Sequence, residues 1–454
     1  MSGVYEPLYS ADEMRAVEAR YPGYPDSVPE LMERAGAAVA REAMRAYPRA
    51  RRFGVVCGGG ANGGDGRVAA RLLREAGREA IETTDPEGFD VVVDALFGTG
   101  FHGAPRPPAA ELIERINRCG APVVAVDVPS GVDASTGEVT SVAVQAALTV
   151  TFHGRKVGLA VAPGRFHAGR VVVADIGLEP AETSARRATE ALLRLVPRRA
   201  PHDSKYTAGR VLVVGGSPGM TGAVCLAAAA ALRADAGYVT VAVPREVLHV
   251  VEARLVEPVK LGLERDGALE QILAVEGRAD ALALGPGLGR DPHVAPLVRE
   301  LLRRSSLPAV VDADALFGLE PVERAAPTVL TPHAGELARL LGETVADVNA
   351  RRLAAARRTA ERYAAVVLLK GADSIVASPG CGPIVCDHAP PSLATAGSGD
   401  VLTGVIAAFL AKGMDAPTAA ATGAVAHGIA ASLVPAQAGL VASDVVDALP
   451  RALS

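Results

Sequence analysis

The sequence predicts an α/β protein with two doubly wound domains, and three observations support this fold class. Short apolar segments rich in Val and Ala alternate with segments of helical periodicity, which is typical of parallel sheets covered on both faces. Most of the apolar segments end in glycine-rich or acidic loops, so ligand sites are expected at the carboxyl edge of each sheet. The length of 454 residues is more than one ordinary core accommodates.

Composition excludes several classes of protein. Hydrophobic residues make up 49% and charged residues 21% of the chain, as in soluble globular proteins. A formal net charge of −5 argues against nucleic acid or an anionic membrane as a partner. The five cysteines are scattered, so they predict neither a disulfide framework nor a zinc site. Without a visible export signal or membrane-spanning run, we expect a cytoplasmic enzyme or binding protein.

The first half of the chain carries three strand–loop units. RFGVVC leads into GGGANGGDG, which predicts a glycine-rich loop with Asn62 and Asp65 as its only directed polar side chains. Two further apolar strands end at Asp94 and at Asp127, and Ser130 follows shortly after the second. One acid at a strand end is commonly a helix or turn cap, but this combination favours a shared polar site. The spacing differs from the Rossmann G-x-G-x-x-G fingerprint.

A segment without apolar strands separates the two halves. Residues 181–205, AETSARRATEALLRLVPRRAPHDSK, predict a short helical connector that contains no strand. We therefore place the domain boundary close to residue 200, which gives domains at 1–200 and 201–454. Within the first domain, Ser27 and Glu30 have the spacing of a capping box before a helix over Leu31–Tyr47.

The second half repeats the alternation of strands and helices. Its segments include VLVVGGSPGMTGA, DALALGPGLG, PAVVDADAL, TVLTPHAGE and AVVLLKGADS. His333 and Glu336 fall at a strand-to-helix turn, and Lys370 falls at a strand end. Taken singly, His333 is typical of a turn or surface position and Lys370 of a solvated strand end.

The segment Gly397-Ser398-Gly399-Asp400 precedes an apolar helix. Small residues before a helix start create an anion site, because several N–H groups and the positive end of the helix dipole point the same way. Asp400 would repel a phosphate there, so it is better suited to act as a base on a hydroxyl. GxGD alone equally describes a glycine cap, but GPGLG, His333 and Lys370 together favour nucleotide-dependent chemistry. No P-loop motif is present.

Four motifs of the first half carry a resemblance. LMERAG, NGGDG, DALFGTGFHG and DVPSGVDASTGE, in this order within residues 9–180, resemble the NAD(P)H-hydrate epimerase domain, which has a Rossmann-like α/β/α sandwich. The resemblance implies potassium bound by oxygens of Asn62, Asp94 and Ser130, and Asp127 as acid/base. Implied substrate contacts are Ala61, Asn62, Gly63, Gly64, Asp65, Gly98, Thr99, Gly100, Phe101, His102, Gly103, Ala104 and Asp127. Ala61 replaces a usual Asn, which removes one polar contact.

The second half is similar to the ADP/ATP-dependent NAD(P)H-hydrate dehydratase of the ribokinase-like superfamily. The similarity rests on GRVLVVGGSPGMTGA, LGPGLG, LTPHAGE, LLKGADS and ATAGSGDVLTG, within residues 202–452. It implies Asp400 as catalytic base and a magnesium ligand at Glu336. Implied substrate contacts are Ala223, Gly287, His333 and Asp400, and implied adenine-nucleotide contacts are Lys370, Gly371, Ala372, Asp373, Ser374 and Gly399. Ala396 replaces a frequent Gly.

Together the two resemblances imply an enzyme that repairs hydrated NADH and NADPH. Its N-terminal domain would interconvert the R and S hydrates. Its C-terminal domain would dehydrate the S form with ADP or ATP, using Mg²⁺, and ADP would yield AMP and phosphate. A homo-oligomer is expected. Two alternatives stay open: a vitamin-precursor kinase in the second half, which would leave a stable phosphorylated product, and a non-catalytic binding module in the first, which would not change an epimer ratio.

Overall fold

The computed structural model describes residues 3–454, which form two compact units. The N-terminal unit comprises residues 7–186 and 349–351, and the C-terminal unit comprises 3–6, 187–348 and 352–454. The chain passes from one compact unit to the other between residues 186 and 187. The domain boundary expected near residue 200 stays a prediction. No helix within residues 3–454 combines the length and the apolar character needed to cross a bilayer.

The strands of residues 3–454 are β1 (Tyr5–Tyr9), β2 (Arg52–Cys57), β3 (Glu79–Glu82), β4 (Val91–Ala95), β5 (Val123–Val126), β6 (Leu148–Phe152), β7 (Arg155–Lys156), β8 (Arg170–Ala174), β9 (Ala185–Ala188), β10 (Arg210–Val214), β11 (Tyr238–Pro244), β12 (Val259–Leu263), β13 (Ala281–Leu284), β14 (Ala309–Val311), β15 (Thr328–Leu330), β16 (Val366–Leu369), β17 (Ser374–Ala377) and β18 (Ile384–Cys386).

The α-helices of the same residues are α1 (Ala11–Glu18), α2 (Val28–Ala46), α3 (Ala61–Glu75), α4 (Pro107–Arg118), α5 (Gly164–His167), α6 (Thr221–Arg233), α7 (Leu248–Arg254), α8 (Ala268–Glu276), α9 (Val294–Arg304), α10 (Ala334–Leu341), α11 (Val345–Ala350), α12 (Arg352–Tyr363), α13 (Ser398–Ala411), α14 (Ala416–Ser432) and α15 (Ala442–Ala452).

The N-terminal unit is built on a parallel sheet with the strand order β3-β2-β4-β5-β6-β8. Val55 and Val93 face one apolar cluster, which includes residues of α2 and α3, while Val56 and Val92 face the cluster of α4. Because both faces are covered, the central strands are apolar without a polar alternation. The winding reverses between β2 and β4, so a crevice at their carboxyl ends is the expected place for a ligand.

The C-terminal unit contains strands in the order β12-β11-β10-β13-β14-β15-β16-β17-β18. The strands from β12 to β16 in this order run parallel to one another, and the pairings of β16 with β17 and of β17 with β18 are antiparallel. Small residues let the helices α6 and α13 pack closely against each other. A Cβ on Gly404 of α13 would lie 2.1 Å from the Ala227 carbonyl oxygen of α6. The winding reverses between β10 and β13, which gives this unit its own ligand crevice. The predicted doubly wound α/β class is confirmed.

The glycine-rich segment of the first half is mostly helical, so the prediction of a loop over GGGANGGDG is wrong beyond its first residues. Helix α3 begins at Ala61, and Gly58–Gly60 precede it. A Cβ on Gly63 would lie 1.9 Å from the Gly58 carbonyl oxygen, so glycine is needed for the helix to pass this close to the strand end. As a result Asn62 projects from the first helical turn.

Two other local predictions are also wrong. The connector contains strand β9, in which Ala185 and Ala188 are buried although no apolar run marks the segment as a strand.

Ser27 precedes α2, but its backbone is helical (φ −82°, ψ −2°) and its side chain makes no capping hydrogen bond. An N-cap needs extended backbone to reach the helix N–H groups. A capping box does form in this unit before a different helix, α1, between Ser10 and Glu13.

Candidate active sites

Three predicted potassium ligands converge at the switch point of the N-terminal sheet. Ser130 donates from Oγ to Asp94 Oδ1 at 2.6 Å and from its backbone N–H to Asp94 Oδ2 at 2.8 Å. Asn62 Nδ2 donates to the Phe97 carbonyl oxygen at 2.9 Å, and this oxygen lies 3.4 Å from Ser130 Oγ. The Asp94 carboxylate, the Ser130 hydroxyl and the Phe97 carbonyl oxygen thus lie together with the Asn62 amide beside them, and oxygen ligands of this kind suit a hard cation.

The Asp94 carboxyl is fully buried. Burial raises its pKa to about 6, although hydrogen bonds from Ser130 and the Leu96 N–H favour the ionised form. Within residues 3–454 its hydrogen-bond partners are these neutral donors alone. A buried carboxylate without a cationic partner is costly, so the site favours the binding of a cation.

Gly98 packs against the predicted potassium site. A Cβ on this residue would lie 2.9 Å from Asn62 Oδ1, so the loop can pass here only as glycine. Further along the loop, His102 Nδ1 lies 2.8 Å from Asp133 Oδ2, and the ring of Phe101 stacks on that of Phe97. Residues 98–104, which were predicted to line the ligand, therefore form a loop beside the cluster.

Asp127 is held by a buried lysine that the sequence did not single out. Its backbone is left-handed (φ 65°), which is a strained conformation for a residue with a side chain. Its Oδ1 lies 2.6 Å from Lys156 Nζ and accepts a hydrogen bond from Thr151 Oγ1 at 2.9 Å. Lys156 is completely buried and also donates to the Phe152 carbonyl oxygen. Because these contacts are all made by Oδ1, the second carboxylate oxygen of Asp127 remains for a ligand.

Two more carboxyl groups influence the charge near this ion pair. Burial first and then the charges of Asp127 and Glu18 raise the pKa of Asp65, Lys156 opposes the shift, and the resulting pKa is about 8. Burial and the charge of Asp127 also raise the pKa of Glu18. At neutral pH Asp65 therefore carries a proton while Asp127 is paired with a lysine. A protonated carboxyl group near an aspartate that is held by a lysine provides a candidate acid beside a candidate base.

Asp400 lies at the start of a long buried helix in the C-terminal unit. The preceding Gly397 has a left-handed backbone (φ 86°), and a Cβ there would lie 2.7 Å from Leu226 Cδ1. Helix α13 begins at Ser398, so Asp400 occupies its first turn, beside the unpaired N–H groups of the helix start. Glycine at 397 thus allows the turn that presents both the N–H groups and the carboxyl group to one cavity.

This cavity has a volume of about 440 Å³. His333, Lys370, Gly371, Gly399 and Asp400 all line it, so the structure brings together five residues from the predicted substrate and nucleotide sets. The walls also include Asp312, which follows β14 and was not among the predicted site residues.

Asp312 fixes the predicted nucleotide lysine. Lys370 Nζ lies 2.7 Å from Asp312 Oδ1, and Thr403 Oγ1 donates to Asp312 Oδ2 at 2.7 Å. Burial lowers the pKa of Lys370, but Asp312 and Glu336 outweigh burial and raise it overall. The lysine therefore remains charged and fixed in position.

The same charges act on the proposed base. Burial first and then the charge of Asp312 raise the pKa of Asp400, Lys370 opposes the shift, and the resulting pKa is about 7. A carboxyl group with a pKa near neutral pH accepts a proton far better than an ordinary aspartate, while still being substantially ionised.

His333 and Glu336 have a structural role at the start of α10. The His333 Nδ1 atom accepts the Gly335 N–H at 2.9 Å, and Glu336 Oε2 accepts the His333 N–H at 2.8 Å. They form a capping box in which histidine replaces the usual serine or threonine. The box orients His333 toward the Asp400 cavity. The other Glu336 oxygen lies 3.5 Å from His333 Nε2.

The remaining predicted contacts lie outside the lining of this cavity. A Cβ on Gly287 would lie 3.2 Å from Ala223 Cβ, so these two predicted substrate residues are neighbours. Asp373 is buried in an ion pair with Arg352, and Ser374 Oγ donates to the Gly371 carbonyl oxygen. Of the predicted contacts, Ala372 and Asp373 belong to the turn between β16 and β17, and Ser374 is the first residue of β17.

The chain matches two family models. The model for NAD(P)H-hydrate dehydratase matches residues 211–451, and the model for YjeF-related protein N-terminus matches residues 28–87 and 78–158. The chain is also 41% identical to the bifunctional NAD(P)H-hydrate repair enzyme Nnr of Moorella thermoacetica, over 93% of this chain and 92% of that protein.

Two solved structures resemble the C-terminal unit. The ADP/ATP-dependent NAD(P)H-hydrate dehydratase of Bacillus subtilis, co-crystallised with ATP and Mg²⁺, is 27% identical with a TM-score of 0.52, and the match covers 58% of this chain and 96% of that one. A ribokinase-like superfamily protein of Enterococcus faecalis is 23% identical with a TM-score of 0.52, covering 61% of this chain and 97% of that one. The ribokinase-like fold predicted for the second half is confirmed.

The buried ion pair of the N-terminal unit leads to a stability prediction. In Lys156→Met the Asp127 carboxylate loses its cationic partner, so the free energy of unfolding of this unit is expected to fall by about 3–5 kcal/mol. Urea denaturation followed by circular dichroism measures the change. As a control, Arg15→Met removes the exposed ion pair with Asp12 and is expected to cost less than about 1 kcal/mol. Equal losses in the two variants would contradict the role assigned to Lys156.

Proposed function

Because the chain belongs to the family of bifunctional NAD(P)H-hydrate repair enzymes, we propose that it restores hydrated NADH and NADPH with two separate sites. The N-terminal unit interconverts the R and S hydrates, and the C-terminal unit dehydrates the S hydrate at the expense of ADP or ATP. The observation that carries this proposal is the Asp400 cavity, where a carboxyl group with a pKa of about 7 lies beside the N–H groups of a helix start.

Dehydration needs a better leaving group than hydroxide. Asp400 accepts the proton of the C6 hydroxyl as that oxygen bonds to the terminal phosphorus of the nucleotide. The bond from this phosphorus to the bridging oxygen breaks, and AMP leaves when the donor is ADP. The C6–O bond of the phosphorylated intermediate then breaks with its electron pair leaving on phosphate. Loss of the C5 proton restores the ring double bond.

The helix start and Lys370 stabilise the negative charge of the transferring group. The N–H groups near Gly399 have no partners within the helix and lie at the positive end of its dipole. A donor placed this way commonly contributes about 3 kcal/mol to lowering a barrier. Lys370 adds a fixed positive charge beside this helix start, since a Cβ on Gly399 would lie 3.2 Å from Lys370 Nζ, and Asp312 holds the lysine there.

Magnesium fits this site through the nucleotide rather than through a preformed cluster. Residues 3–454 contain no group of three or more His, Cys, Asp or Glu side chains arranged for a metal. Mg²⁺ commonly binds one or two carboxylates together with phosphates and water, so Glu336 and the nucleotide suffice. When bound, the ion neutralises charge on the phosphates. The ATP and Mg²⁺ crystallised with the Bacillus subtilis relative support this assignment.

Epimerisation at C6 requires a bond at that carbon to break and to form again from the other face. A proton must leave one atom of the hydrate and another must be supplied. Asp127 acts as the base, because its Oδ1 is fixed by Lys156 and Thr151 and its other oxygen is available. Asp65, which is protonated at neutral pH, supplies the second proton.

Potassium is assigned to the oxygen cluster of Asn62, Asp94 and Ser130. The donor set and the unpaired charge of Asp94 support this assignment. When bound, the cation supplies positive charge beside the ligand loop 98–104, and its loss would leave Asp94 to take up a proton instead. A vitamin-precursor kinase explains the Asp400 cavity but not the match to two-domain repair enzymes over 93% of the chain.

The base assignment predicts both a loss of rate and a pH dependence. Asp400→Asn is expected to lower the rate of NADH recovery with ADP by about 10²–10⁴-fold, because the hydroxyl proton has no acceptor. In the unchanged chain kcat/KM for the S hydrate should rise as the pH increases through about 7 and then level off, since only ionised Asp400 accepts a proton. Absorbance of the reduced ring measures both. The exposed Asp447→Asn serves as control, and full activity of Asp400→Asn would refute the assignment.

The epimerase assignment predicts a change for one epimer only. Asp127→Asn should leave the dehydration of the S hydrate unchanged, whereas clearance of the R hydrate should slow to its spontaneous rate. Separate time courses with each purified epimer and ADP measure this difference, and the S epimer serves as internal control for the C-terminal unit. If the variant clears both epimers at the rate of the unchanged chain, Asp127 is not the acid/base.

A further inference from the structure

A second cavity in the C-terminal unit has no role in the chemistry described so far. Its volume is about 670 Å³, within the range of small-molecule sites. Val214, Pro244 and Leu263, which end β10, β11 and β12, line it together with Leu288 from the loop after β13. It therefore opens at the carboxyl edge of the sheet, at the switch point between β10 and β13 where doubly wound folds bind ligands.

One short loop connects this cavity to the proposed substrate residues. Gly287 lies beside Ala223, and two residues later a Cβ on Gly289 would lie 3.3 Å from Ser217 Oγ. Gly289 and Ser217 both line the second cavity. A ligand that contacts Ala223 and Gly287 therefore reaches the second cavity by continuing along the same loop.

The sheet order gives the two nucleotides opposite directions from Asp400. The residues assigned to ADP, Lys370–Ser374, lie at β16 and β17. The second cavity lies on the other side of β14, at β13, β10, β11 and β12. ADP extending toward β17 leaves the second cavity free, so the dinucleotide is the ligand whose far end points into it.

The lining suits a nucleoside rather than another free phosphate. Most of its surface is apolar, and the lining includes Leu263, Leu288 and Leu297. The buried Oγ of Ser217 has no hydrogen-bond partner in residues 3–454, which makes it available to a ligand hydroxyl or ring nitrogen. The arginines at the rim are already paired, Arg245 with Glu264, Arg265 with Asp291 and Arg290 with Asp314.

We propose that this cavity, defined by Ser217, Pro244, Leu263 and Leu288, binds the adenosine half of the hydrated dinucleotide while its hydrated ring lies at Asp400. The inference rests on the proposed function and adds the second half of the substrate site. Binding energy from this remote half positions the reacting ring, so a substrate that lacks it is used poorly.

The test compares two substrates that share the reacting ring. One is the S hydrate of NADH, and the other is the hydrate of reduced nicotinamide mononucleotide, which lacks the adenosine half. With ADP saturating, the unchanged chain is expected to show kcat/KM about tenfold or more higher for the NADH hydrate. Ala268→Trp fills the cavity from the first residue of α8, and Ala274→Trp on the exposed part of the same helix is its control.

Ala268→Trp is expected to lower kcat/KM for the NADH hydrate to that of the truncated hydrate, while the truncated hydrate and the KM for ADP are unaffected. Unchanged turnover of the truncated hydrate shows that the variant is folded. Ser217→Ala should give a smaller loss, again for the NADH hydrate alone. Three results would overturn the inference: equal use of both hydrates by the unchanged chain, equal losses for both in Ala268→Trp, or a raised KM for ADP. No turnover of either hydrate by the unchanged chain would instead refute the proposed function, and the inference with it.

Discussion

Each unit pairs a lysine with one buried aspartate, and a second carboxyl group with a raised pKa lies near this ion pair. Lys156 pairs with Asp127 at 2.6 Å in the N-terminal unit, and Lys370 pairs with Asp312 at 2.7 Å in the C-terminal unit. Burial and neighbouring negative charge raise the pKa of the second carboxyl group, to about 8 for Asp65 and about 7 for Asp400. Without the lysines these carboxyl clusters would lose the charge that allows them to be buried together.

The same arrangement is used differently in the two units. In the N-terminal unit the paired aspartate itself is the proposed base, and the protonated neighbour supplies a proton. In the C-terminal unit the pair of Lys370 with Asp312 is support, and the neighbour Asp400 is the proposed base. The difference follows from position, because Asp400 lies at a helix start where N–H groups accompany it, whereas Asp127 follows strand β5 and is held by Lys156 and Thr151.

The sequence predicts the class of fold and the loops that carry the sites, since apolar strands ending in glycine or acid are local patterns. It does not identify Lys156, because RK after a short apolar strand is typical of an exposed strand end and only the folded chain buries it against Asp127. Asp312 is visible as an acid after a strand, but its pairing with Lys370 joins residues distant in the chain. The capping box predicted at Ser27 does not form, because the backbone of Ser27 is helical, and the residue spacing used for that prediction does not reveal the backbone conformation.

The central claim is that one chain both interconverts the R and S hydrates and dehydrates the S hydrate at the expense of a nucleotide. A spontaneous mixture of R and S NADH hydrates tests it most directly, with ADP in excess over the total hydrate and with absorbance, AMP and phosphate followed together. The account predicts recovery of NADH beyond the initial S fraction, faster than spontaneous epimerisation, with one AMP and one phosphate released per NADH. A stable phosphorylated product, or recovery that stops at the initial S fraction, would contradict it.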